Sequence, residues 1–96
     1  MFVTLTSGDV VRVRWIYQNV KKSIVTACII EKQIGPRDYD ILAEGSTRKS
    51  KADQFVKNKG RINSLTNLFI KNKESFSKED RTRIWTSYAN MIHHKF

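Results

Sequence analysis

Over the first 46 residues, apolar positions recur mostly with a period of two; after residue 50 the spacing changes to three and four. "FVTLT" opens the chain as a short strand of β-branched and aromatic residues. "SGD" (Ser7 to Asp9) follows as a tight turn, with Gly8 supplying the backbone freedom a hairpin needs. "VVRVRWIY" alternates. Val11, Val13, Trp15 and Tyr17 share one face and Arg12 and Arg14 the other, which predicts a half-buried strand with its arginines outward. "QNVKK" (Gln18 to Lys22) reads as a polar connection, and "SIVTACIIEK", apolar almost throughout, as a central strand. Gly35 and Pro36 interrupt it. "YDILAEG" (Tyr39 to Gly45) reads as a fourth strand with Tyr39, Ile41 and Ala43 on one side.

"STRKSKADQ" then reads as a basic linker, with Ser50 and Asp53 at capping-box spacing. Phe55, Ile62, Leu65 and Phe69 recur at helical intervals and predict a core-facing stripe, widened by Leu68 and Ile70. In the last segment Ser77 is placed to cap a helix, with Glu79 and Asp80 in the first turn and His93, His94 and Lys95 in the last. Ile84, Trp85, Tyr88, Met91 and Ile92 form its apolar stripe. The predicted class is α+β: a single domain over 1–96, with an antiparallel meander of about four strands (1–46) followed by two helices (50–96) on one face.

The chain has 96 residues, 40% of them hydrophobic and 10% aromatic, a composition that supports one modest core. Its apolar runs are shorter than a membrane span needs, and "MFVTLTSGDVV" reads as a strand rather than a targeting segment. The expectation is a cytoplasmic protein that does not use a membrane. Cys28, the only cysteine, lies in an apolar run and reads as a small core residue. Cys28 and the adjacent pair His93–His94 do not make a zinc set, so no metal is expected. No Gly-rich phosphate loop and no rigidly held nucleophile–base pair is visible, so neither a cofactor nor an enzymatic activity is expected. Asp40 and Glu44 would share a strand face, a pairing that usually lies in water.

Charge changes the picture more. The net charge is +9, from 18 basic and 9 acidic side chains, and this favours an anionic partner. Between residues 48 and 61 stand Arg48, Lys49, Lys51, Lys57, Lys59 and Arg61 against the single acid Asp53. Lys57, Arg61 and Ser64 would lie on one helix face, away from the apolar stripe. Arg12 with Arg14, and Arg81 with Arg83, make two further basic pairs. Gly60, costly by roughly 1 kcal/mol inside a helix, has two readings: close packing against the sheet or Trp85, or the approach of a ligand beside Arg61. Trp15, Tyr17, Trp85 and Tyr88 are expected in the core by their spacing.

Three stretches carry a resemblance: "SGDVVRVRW", "DQFVKNKGRINSL" and "FSKEDRTRIWTSY". They resemble an "NGDVVxVRF" hairpin followed by "DxFxKxxGRxxxL" and "FxKExRxxIWxxY" helices in small bacteriophage and mobile-element accessory proteins. Such relatives often carry a cysteine and a proline before the "DxF" element, where this chain has "TRKSKAD". The resemblance implies a phage-type accessory protein acting in the host cytoplasm, of a class rich in inhibitors of host defence (anti-CRISPR-like). It singles out Lys57, Gly60, Arg61, Arg81, Trp85 and Tyr88. The expected function is non-catalytic binding of nucleic acid, or of a host complex that binds it, through the basic surface. The alternatives are sequestration of a phosphorylated nucleotide signal at the interface of a homo-oligomer, and inhibition of an acidic host protein.

Overall fold

The computed structural model describes residues 1–50 and 56–93. Its elements run β1 (Phe2–Thr4), β2 (Val10–Val20), β3 (Ser23–Gln33), β4 (Tyr39–Ser50), α1 (Lys57–Lys71) and α2 (Lys78–His93). The strands form one antiparallel sheet in the order β1-β2-β3-β4, and the two helices follow. The α+β class expected from the change of period is the one observed.

Both helices lie on the face carrying Val11, Val13, Trp15, Cys28, Ile30 and Ala43. Two close approaches set this layer. A Cβ on Gly60 would come within 2.7 Å of Thr26 Oγ1, and one on Gly45 would collide with the backbone of Leu68. Helix and sheet backbones thus touch where side chains are missing. Leu65, Leu68, Phe69, Phe76 and Ile84 close the core over Val3, Leu5 and the sheet. Phe69 makes edge contacts with Phe76 and Trp85, joining α1 to α2.

The strands are longer than expected. Gln18 to Val20 belong to β2, and the connection shrinks to Lys21 and Lys22, with Lys21 in the left-handed region at φ 53°. Ser46 to Ser50, read as the start of a linker, extend β4 and pair with Ser23 to Ala27 of β3. Ser50 is therefore a strand residue, and the capping box expected from Ser50 to Asp53 reaches outside the described residues. Helix α1 starts after Val56, without a side-chain cap; Lys51, Asp53 and Phe55 lie outside the described residues.

A bulge changes the faces of β4. Ile30 pairs with Ala43 but Glu31 with Ile41, so one extra residue intervenes. Ala43 faces the helices, whereas Ile41 is 59% exposed on the other side with Tyr39. For the same reason Asp40 and Glu44 do not share a face. On α1, the close approach at Gly60 rotates the buried stripe to Gly60, Ser64, Leu65, Leu68 and Phe69, leaving Ile62 40% exposed and Ile70 exposed. Helix α2 follows expectation: the Asp80 amide donates to Ser77 Oγ, and Ile84 and Tyr88 are buried. His94 lies outside the described residues.

Candidate anion-binding surface

Strand register brings the Lys21–Lys22 turn, the end of β4 and the start of α1 to the same end of the molecule. Ile24 pairs with Lys49 and Val25 with Arg48, two to three residues from the turn. In α1, Lys57 Nζ lies 5.1 Å from the centre of the Tyr17 ring. Tyr17 in turn pairs with Thr26, which pairs with Thr47. Lys57, Lys59 and Arg48 are exposed and Lys49 half-buried. The first turn of α1 contains no acid, so its basic side chains add to the positive end of the helix dipole.

Most acids of the described residues lie elsewhere. Asp9, Glu31, Asp38 and Asp40 stand at or near the opposite end of the strands, and Glu79 and Asp80 open α2 beside the β1–β2 turn. Among the described residues, every ion pair involves Arg12, Arg14, Lys32 or Arg83, and none involves a cation of the basic end.

Arg61 is anchored more than displayed. Its Nε donates to Tyr17 Oη at 2.8 Å, and its guanidinium stands 5.7 Å from the Trp15 ring. Its carbonyl accepts from Trp15 Nε1 and from Ser64 Oγ. Ser64, expected beside Lys57 and Arg61 on an outer face, is fully buried. Tyr88 packs against Trp15, donates to Asn58 Oδ1, and has its phenol pKa raised, chiefly by burial. The expected aromatic core is thus a cluster of buried Tyr88 with half-buried Trp15, Tyr17 and Trp85.

Other sequence candidates fall in different places. Arg12 and Arg14 lie on the face of the sheet away from the helices. Both grip Glu31, whose side chain is only 5% exposed: Arg12 through Nε and Nη2 to Oε2, Arg14 through Nε and Nη2 to Oε1. Arg12 also stacks 3.7 Å from the centre of the Tyr39 ring. One carboxylate thus holds both guanidiniums. Arg83 donates to the Thr4 carbonyl and approaches Glu79. Arg81 joins Lys73 and Lys78 around Trp85 and Phe69 in a groove of about 340 Å³ between the helices.

The candidates therefore separate into a basic end (Arg48, Lys49, Lys57, Lys59, Arg61), an interhelical groove at Arg81, and the pair Arg12 and Arg14 held on Glu31. Sequence reasoning missed Lys21 and Lys22. Matching the lengths of three antiparallel strands would have brought that turn beside Arg48 and Lys49. Among the described residues no group of carboxylates, histidines and cysteine could hold a metal, and no helix is long and apolar enough to cross a membrane. No family model, curated protein or solved structure matches this chain.

Proposed function

We propose that this protein acts by binding rather than catalysis, presenting its basic end to the phosphates of a nucleic acid or to the nucleic-acid-handling complex of a host defence system. One observation carries the reading: Lys21, Lys22, Arg48, Lys49, Lys57 and Lys59 share one end, and among the described residues no carboxylate forms an ion pair with them. Lysine and arginine contacts to phosphate are blind to sequence and release counterions, so affinity falls steeply with salt. The likeness of the hairpin and the two helix motifs to phage accessory proteins supports a host-defence inhibitor within this reading. Fluorescence anisotropy with labelled duplex and single-stranded oligonucleotides, at two salt concentrations, tests it. Binding that weakens with salt and is lost in Lys49→Glu/Lys57→Glu supports the proposal; unchanged affinity in that variant removes it.

The interhelical groove favours a second reading. Arg81, Lys73 and Lys78 around Trp85 combine cations with an aromatic ring, the set a phosphorylated nucleotide would use. A mononucleotide that raises the melting temperature equally at low and high salt, with no binding of long nucleic acid, would select this reading over the first.

A further inference from the structure

We propose that the uncovered face of the sheet is where a second copy of this chain packs, sheet against sheet, about a twofold axis lying close to β3. The first reason is in β3 itself. A strand with one wet face alternates apolar and polar residues, whereas a strand apolar on both faces belongs to a sheet covered on both. In β3, Ile24, Cys28 and Ile30 face the helices, and Val25, Ala27 and Ile29 face the other way. Both helices are used on the first side. On the second, Ile29 is 8% exposed and Ile16, Val25 and Ala27 are half-buried by their strand neighbours alone, while Phe2, Val10 and Ile41 are exposed.

The size suits a reversible dimer. Strands of 11, 11 and 12 residues, at ~4.8 Å spacing and ~3.3 Å rise, give a flat footprint of roughly 500 Å². Side-chain relief increases this toward the ~800 Å² per partner of a standard interface. The charge suits it too. On a chain of net charge +9, this face carries Arg12 and Arg14 folded onto Glu31, with Glu44 and Arg48 on β4. Three arginines stand against two glutamates here, so this face opposes the approach of a second copy less than the basic end does.

Register makes one row of the face self-complementary. Arg14 pairs with Ile29 and Ile29 with Glu44, so the three form one row across β2, β3 and β4. A twofold axis along β3 through this row sets Ile29 against Ile29 of the partner subunit. It also sets Arg14 against Glu44 of the partner subunit, twice, while in the next row Glu31 meets Glu31 of the partner subunit, each already bonded to Arg12 and Arg14 of its own chain. Glu31 occupies Nε and Nη2 of Arg14, and no ion pair among the described residues uses Nη1 or Glu44. Opposite charges placed symmetrically about the central strand are what an isologous contact needs, and a foreign acidic partner would find little net charge to recognise. Aligned sheets cross at about 30°, an angle a slightly tilted axis provides.

Sedimentation velocity on the full chain over about a hundredfold range of concentration tests this. The expected result is a mass rising from one chain to two. Glu44→Arg sets like charges face to face and is expected to raise the dimer dissociation constant at least about tenfold, with circular dichroism and melting of the monomer unchanged. Ala27→Arg, a bulky charge beside the axis, is expected to do the same and covers the case in which one variant folds poorly. A wild-type chain that stays monomeric throughout overturns the proposal, as does a dimer that both folded variants leave intact. A monomer that instead captures a foreign protein on this face also overturns it. Oligonucleotide affinity of Glu44→Arg, read separately, keeps this outcome distinct from that of the basic end.

Discussion

Gly60 of α1 lies so close to Thr26 of β3 that a methyl group added to it would stand 2.7 Å from the threonine Oγ1. This answers why a helix keeps a glycine beside three cations: the residue lets α1 rest on the sheet. Gly60→Ala gains roughly 1 kcal/mol of helix propensity, against an overpacking cost of about 1–3 kcal/mol. The expected result is a net loss of about 1 kcal/mol by urea denaturation. Gly45→Ala meets the backbone of Leu68, which cannot turn aside as a threonine can, and is expected to lose about 3 kcal/mol or fail to fold.

Glu31 ties Arg12 to Arg14 on the opposite face. Its carboxyl pKa is held below the ordinary value, first by the hydrogen bond from Arg14 and then by Arg12, against the opposing effect of burial. A depressed native value means the stabilisation is complete above the unfolded pKa of about 4.3 and is lost as pH falls through the native value. Stability measured from pH 7 downward should therefore decline below about pH 4.3, and the Glu31-dependent part of that decline should vanish in Glu31→Gln. At neutral pH that variant leaves two arginines side by side over a partly desolvated site, with an expected loss of about 2–3 kcal/mol.

Cys28 is fully buried in β3, and burial alone pushes its thiol up to about 12. The thiolate is the reactive form. Labelling by a thiol reagent at pH 8 should proceed only through unfolding, with a rate that rises with urea in parallel with loss of the circular dichroism signal. Fast labelling in the native buffer would contradict this burial.

Lys21 has φ 53° in the turn between β2 and β3, a conformation that costs a side chain roughly 1 kcal/mol and glycine little. Lys21→Gly is expected to stabilise the fold by about 0.5–1 kcal/mol in thermal denaturation. If the turn also meets phosphate, the same variant should bind oligonucleotide more weakly, with a shallower salt dependence.

Asp80 accepts the Thr6 amide at 2.8 Å, fastening the β1–β2 turn to the first turn of α2. That bond is the leading cause of its lowered carboxyl pKa. Asp80→Ala should cost about 1–2 kcal/mol, and Asp80→Asn, which keeps an acceptor, less. Chemical denaturation of the two variants side by side checks the order.

What could be read from the sequence was what repeats locally. The alternation of Val11, Val13, Trp15 and Tyr17, and Ser77 followed by Glu79 and Asp80, specify a strand and a helix start without reference to distant residues. The end of β4 could not be read this way. Ser46 to Ser50 are polar residues whose strand state comes from pairing with Ser23 to Ala27, and a mostly exposed edge leaves no apolar signature. The bulge that turns Tyr39 and Ile41 away from Ala43 is likewise a matter of register. Of the candidate site, the density of cations was visible, but their partition was not. Glu31, the lone acid of "SIVTACIIEK", was the available sign that Arg12 and Arg14 would be held in ion pairs.

Among the described residues, the separation of cations without ion pairs at one end from the mixed charges at the other gives an electric moment along the strands. An approaching polyanion would rotate the protein before touching it, so that collisions begin end-on. Neutralising that end would then slow capture more than it hastens release, and added electrolyte would act mainly on the rate of arrival.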